Sequence, residues 1–191
     1  MKKVTNKLFL GLLSLTIVVS VASCGKKGKA PKGETMIKEL CTGKDYMSDQ
    51  NTFRATATGE SLDRETAKKK ARSNARAELA KTVRTTMKIV GDNYVSSTEF
   101  NNQEEVTETF NEMIRTVVDQ ELQGAIQICD GLTQKEDGNY VFYVAMELSG
   151  QNVASAYNEK LSKDERIRAE YNYEKFKETF EEEMRKLEEG N

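Results

Sequence analysis

Between Leu62 and Val90 the chain has neither glycine nor proline, and within that stretch Ala67, Ala71 and Ala75 recur every four positions before Leu79, Val83 and Met87. A spacing of four returns side chains to one face of an α-helix, and alanine has the highest intrinsic helix propensity. The stretch is therefore predicted as one helix whose first half carries a smooth face of small residues. Such a face suits only a partner that comes very close. The preceding residues supply one: Phe53, Ala55, Ala57 and Gly59 alternate with Arg54, Thr56, Thr58 and Glu60, the pattern of a strand with one face of small side chains. Ser61 or Asp63 is expected to cap the helix, and Gly91-Asp92-Asn93 to end it.

A second helix is expected from about Glu99 to Glu121, with Val106, Phe110, Met113 and Val117, joined by Ile114 and Val118, on its apolar side. From Asp63 to Lys88 there are nine lysines or arginines against three acids; from Glu99 to Glu121 there are seven acids and one arginine. Opposite charges on two helices joined by a modest connection predict antiparallel neighbours that neutralise each other. Residues 122–149 read as a hairpin. Ala125, Ile126, Ile128 and Cys129 lie on its first strand, Lys135 to Asn139 form the turn, and Tyr140 to Leu148 form a second strand, apolar on both faces and so central. Gly124 or Gly131 is expected to mark a bulge or strand end.

The tail is helical again. Val153, Ala154, Tyr157 and Leu161 share a face, and Ser162-Lys-Asp-Glu165 has the spacing of a capping box that restarts a helix. Beyond it Ile167, Tyr173, Phe176, Phe180, Met184 and Leu187 keep a three-and-four spacing among many charges. The first part is expected to pack on the sheet and the last twenty residues to project in part, leaving residues 165–188 as a possible contact for a protein partner. The fold expectation is α+β: a small antiparallel or mixed sheet, built from a strand, two helices and a hairpin, covered by helices and followed by a long C-terminal helix.

The N-terminus speaks to location. Lys2, Lys3 and Lys7 precede an apolar run from Leu8 to Ala22, then Val21-Ala22-Ser23-Cys24. A basic head, a short apolar core and small residues before a processing point describe an export signal, and the run is shorter than the roughly 20 residues of a membrane-spanning helix. The stretch resembles a bacterial lipoprotein signal with Val21 to Cys24 as its lipobox, which implies acylation of Cys24 and cleavage before it. Ordinary secretion and a retained helix are the alternatives. Gly25, in place of an acidic residue, tilts the expected address toward the outer membrane, on its periplasmic or surface face. The organisation is then a signal peptide over 1–23, a lipidated flexible tether over 24–35, a domain over 36–161 and a charged amphipathic helix over 162–191. A short helical turn is expected around Met36, Ile37 and Leu40, before Cys41.

Composition narrows the chemistry. The chain has no histidine, no tryptophan and a net charge of −2. Without histidine, Ser-His-Asp and Cys-His catalysis are excluded, along with the commonest metal ligand. No cofactor, metal or nucleic acid is expected. Cys41 and Cys129, in an oxidising compartment, invite a disulfide; two free thiols, with Cys129 buried on a strand, are the alternative.

Ala57-Thr-Gly59-Glu-Ser, Asp63, Ala67, Ala71, Ala75-Arg76 and Leu79-Ala80, with an acyl site at Cys24 and the strand Tyr140-Val-Phe-Tyr-Val-Ala-Met146, resemble the LPP20 family of bacterial lipoproteins, itself similar to the amino-terminal domain of the flagellar protein FlgT. The resemblance spans roughly residues 50–150 and implies a small α+β domain without catalytic residues. The functional expectation is a membrane-anchored envelope lipoprotein, not an enzyme, that binds or scaffolds other proteins. A small-molecule or lipid carrier lined by Phe142, Tyr143, Met146 and the tail is one alternative. An enzyme using paired carboxylates is another.

Overall fold

In this computed structural model residues 31–35 and 37–190 are described. The chain divides into two compact units, Met1–Ile37 and Lys38–Asn191. In the first, a turn is closed by the Glu34 N–H donating to the Pro31 carbonyl at 3.0 Å.

The second unit is an α+β domain. A short helical turn, Lys44–Tyr46, leads into β1 (Thr52–Ser61), followed by α1 (Arg64–Ser97), α2 (Gln103–Glu121), β2 (Ile126–Gln134), β3 (Tyr140–Ser149), α3 (Gly150–Leu161) and α4 (Tyr173–Glu189). The turn at 44–46 replaces the one expected around Ile37 and Leu40. Three strands form an antiparallel sheet in the order β1-β3-β2, so β3 is central, as its two apolar faces predict. The hairpin turn is tightened by the Asn139 N–H donating to Asp137 at 2.9 Å, with Gly138 at φ 88°.

The alanine face of α1 meets the small face of β1. Ala67, Ala71, Ala75 and Leu79 are fully buried, as are Phe53 and, one strand over, Val144. Gly59, Ala57, Ala55 and Phe53 lie opposite Phe142, Val144, Met146 and Leu148, so one continuous sheet face is turned toward the helix. Asp63 caps α1 by accepting from the Thr66 N–H at 2.7 Å.

The helix does not stop at Gly91. It runs on to Ser97 because a packing contact outweighs the roughly 1 kcal/mol that glycine costs a helix. A Cβ at Gly91 would stand 3.2 Å from the Phe110 ring, so the missing side chain is what seats α2 against α1. The pairs Gly91–Phe110 and Arg84–Asp119 make the two helices antiparallel. Arg84–Asp119, at 2.5 Å, is the one ion pair between them among the described residues. Charge therefore does little here, and Val83, Met87, Val90, Val117 and Val118 bury the interface.

Gly131 marks no bulge. The register slips between Gln127 and Cys129 instead, and Gly131 lies where Leu40 crosses the sheet, 2.6 Å from where a Cβ would stand.

The tail is folded in rather than projecting. Residues 162–172 form turns and a short extended link, and α4 is capped by Asn172, whose side chain accepts from the Lys175 N–H at 3.1 Å. Tyr94 explains the displaced start: its hydroxyl accepts from the Asn172 N–H at 2.9 Å and holds that residue at the mouth of the core. Around Tyr94 gather Phe100, Phe110, Tyr171 and Phe176, with ring centroids 5.5 to 6.0 Å away. Such pairs add ~0.5 to 1.5 kcal/mol each beyond burial. Further along α4, Phe180 meets Phe53 edge-on at 6.5 Å, and Met184 is fully buried.

Candidate interaction surfaces

Cys24, the expected acyl site, and the signal peptide before it lie outside the described residues. The other two thiols are joined. Cys41 and Cys129 form a disulfide with Cα atoms 5.6 Å apart and a sequence separation of 88. Cys129 pairs with Ala145, on the sheet face turned away from α1, so Cys41 is held on that face. Cys41 has a φ of 56°, in the left-handed region that few residues with a side chain enter. The bond thus fixes the place where the chain enters the domain: on β2, the edge strand.

A charge cluster holds the next few residues to the sheet. Arg54 donates to Asp49 at 2.7 Å, to Glu147 across the sheet at 2.9 Å and to the Met47 carbonyl at 3.0 Å. Burial opposes ionisation of Asp49, but donors from Asn51, Thr52 and Arg54 outweigh it and hold the carboxyl below its ordinary value. Asp164 is likewise held down by Arg166. A general acid in paired-carboxylate chemistry needs the opposite shift. Among the described residues no group of three or more His, Cys, Asp or Glu is placed to hold a metal ion, and no helix is long and apolar enough to cross a membrane.

The residues of the carrier reading are divided. Phe142 and Met146 belong to the core, whereas Tyr143 is half-buried on the opposite face. Most of the apolar stripe of the tail is likewise occupied: Ile167, Phe176, Phe180 and Met184 are buried in the domain's own core, Leu187 is half-buried and Tyr173 is exposed. Any partner of residues 165–188 would meet the polar outer side, where Lys177, Glu178 and Glu181 are exposed.

A surface that the charge pattern did not isolate lies between the first half of α1 and β2. Residues 64–76 carry six lysines or arginines and one glutamate. The acidic helix α2 and the tail helix α4 flank only the second half of α1, from about Glu78 onward, as the grooves they share with it show. The first half keeps an excess of positive charge, since its one glutamate, Glu65, pairs with Arg64 and Lys68 alone. There Lys69, Arg72, Ser73 and Arg76 face Ala125, Gln127 and Met146 across an open trough of about 640 Å³. Arg72 is fixed in it: its Nε donates to Gln127 Oε1 at 3.1 Å, and its guanidinium sits 5.6 Å from the centre of the Phe142 ring. Lys69 and Arg76 have no hydrogen bond or ion pair among the described residues. The signal that could have found the trough was the spacing of Lys69, Arg72 and Arg76, three and four apart and so on one flank of the helix.

With this geometry in hand, comparison with protein-family models and with curated proteins finds no match to the chain.

Proposed function

We propose that this chain is an exported, lipid-anchored envelope protein, held at the outer membrane through Cys24, with a non-catalytic role in binding or scaffolding other proteins. The observation that carries the reading is the Cys41–Cys129 disulfide. Structural disulfides persist in oxidising compartments and are rare in reducing ones, which agrees with the basic head, short apolar run and lipobox-like Val21 to Cys24. The absence of histidine from the sequence removes the commonest general base and so favours a binding role. The resemblance to the LPP20 family points the same way.

In intact cells, photo-crosslinking residues placed at Glu178 on the outer side of α4 and at Ile126 on β2 test the binding role. The expected result is a discrete adduct with another envelope protein from one of these sites, lost when Cys24→Ser removes the anchor. Absence of any adduct at both sites contradicts it.

A further inference from the structure

The trough between α1 and β2 adds a surface that the anchor alone does not explain. Its cations are Lys69, Arg72 and Arg76, and no acidic side chain lines it. Asp130, on the same face of β2 as Gln127, makes no ion pair with any of them within 4.0 Å. Arg72 spends its Nε on Gln127, and its two terminal nitrogens have no hydrogen-bond partner among the described residues, so a planar donor pair is already oriented. The wall of the trough is the strand to which the disulfide fastens the incoming chain: Gln127 and Cys129 both belong to β2. Cys24 and Cys41 are 17 positions apart, a reach of at most about 60 Å. The acids of α2 and α4 flank the other half of α1. The domain is therefore polarised along α1, with its basic end beside β2, the strand whose opposite face carries Cys41.

We propose that this trough rests on the anionic headgroups of the membrane that holds the tether, orienting the domain with α2 and α4 away from the lipid. The proposal builds on the anchored reading above. A few cations near an anionic surface bind weakly alone but suffice to orient a molecule already confined there by acyl chains. Phosphodiester headgroups match the guanidinium fork and the flanking ammonium, and the contact is salt-sensitive.

The test uses the chain from residue 24 with Cys24→Ser, so that no acyl chain contributes. Its co-sedimentation is measured with vesicles of phosphatidylcholine alone and of phosphatidylcholine with phosphatidylglycerol. Binding is expected only to the anionic vesicles, weakening at high salt. Lys69→Glu and Arg76→Glu each lower the partition coefficient about fivefold or more, while Lys177→Glu on α4 has no effect. Because neither Lys69 nor Arg76 makes a hydrogen bond or ion pair among the described residues, both variants are expected to keep the wild-type circular dichroism spectrum. Equal sedimentation with the two vesicle types overturns the proposal, as does anionic binding that survives both charge reversals. Displacement by inorganic phosphate, at an ionic strength where chloride does not displace, also overturns it in favour of a small-anion site. The result is independent of acylation, so a failure here leaves the anchor standing and a failure of the anchor leaves this measurement intact.

Discussion

Gly59 on β1 and Ala71 on α1 are so close that no side chain fits between strand and helix: a Cβ at position 59 would run into the Ala71 nitrogen, the Ala67 carbonyl oxygen and, at 2.8 Å, the Lys70 Cβ. Two of those neighbours are backbone, which cannot swing aside. Gly59→Ala should lower stability by about 1 to 3 kcal/mol and Gly59→Val by more, through overpacking. Gly124 has nothing within 4 Å of the same added atom, so Gly124→Ala should change stability by less than about 0.5 kcal/mol. Urea midpoints of the three variants check the contrast; equal midpoints for Gly59→Ala and wild type would remove the close approach from the account.

Two buried tyrosines should respond in opposite ways to loss of a hydroxyl. The Tyr157 hydroxyl is buried without a hydrogen-bond partner, and burial pushes its pKa up. Tyr157→Phe should therefore be neutral or stabilising. Tyr94 both accepts from the Asn172 N–H and donates to the Asn172 carbonyl. Tyr94→Phe takes the acceptor from the Asn172 N–H, while the Asn172 carbonyl still accepts from the Phe176 N–H, and should cost about 1 kcal/mol. Thermal unfolding of the pair reads the difference directly.

The legible part of the fold was the part whose pattern admits one partner. A strand of small residues followed by alanines every fourth position leaves little choice but close docking, and the doubly apolar Tyr140–Leu148 segment reads as a central strand. Gly91 was misread because glycine ends helices by local conformation, whereas here the Phe110 ring, distant in sequence, uses its empty side. The Ser162–Glu165 box failed for a like reason: the helix start is decided by Tyr94 holding Asn172. Amphipathic spacing in the tail looks the same whether the stripe meets a foreign surface or its own core. The charge balance between α1 and α2 hid the trough, since a net sum over each helix carries no information about which half the neighbour covers.

The disulfide should contribute stability chiefly by restricting the unfolded chain. For a separation of 88 residues the loop-entropy ceiling is about 4 to 5 kcal/mol. Reductant should lower the melting temperature, and Cys41→Ser with Cys129→Ser should match the reduced protein. In the untreated native domain neither thiol should react with an alkylating reagent; ready alkylation of both would show that no bond forms.

Acid should loosen the segment before β1. Asp49 has a folded-state pKa below its ordinary 3.8, so its contribution is present above about pH 4 and is lost as pH falls through the depressed value. Asp49→Asn should lower stability at neutral pH and flatten the decline below pH 4. Chemical denaturation across that range checks it; parallel curves for variant and wild type would assign the acid loss elsewhere.

The anchored reading turns on one sulfur atom. Mass spectrometry of the N-terminal peptide of protein purified from membranes tests it most directly. The expected peptide begins at Cys24 and carries diacylglycerol on the thiol, and the Cys24→Ser protein has no acyl mass and leaves the membrane fraction. An unmodified thiol at Cys24, or a mature chain beginning elsewhere, would contradict it.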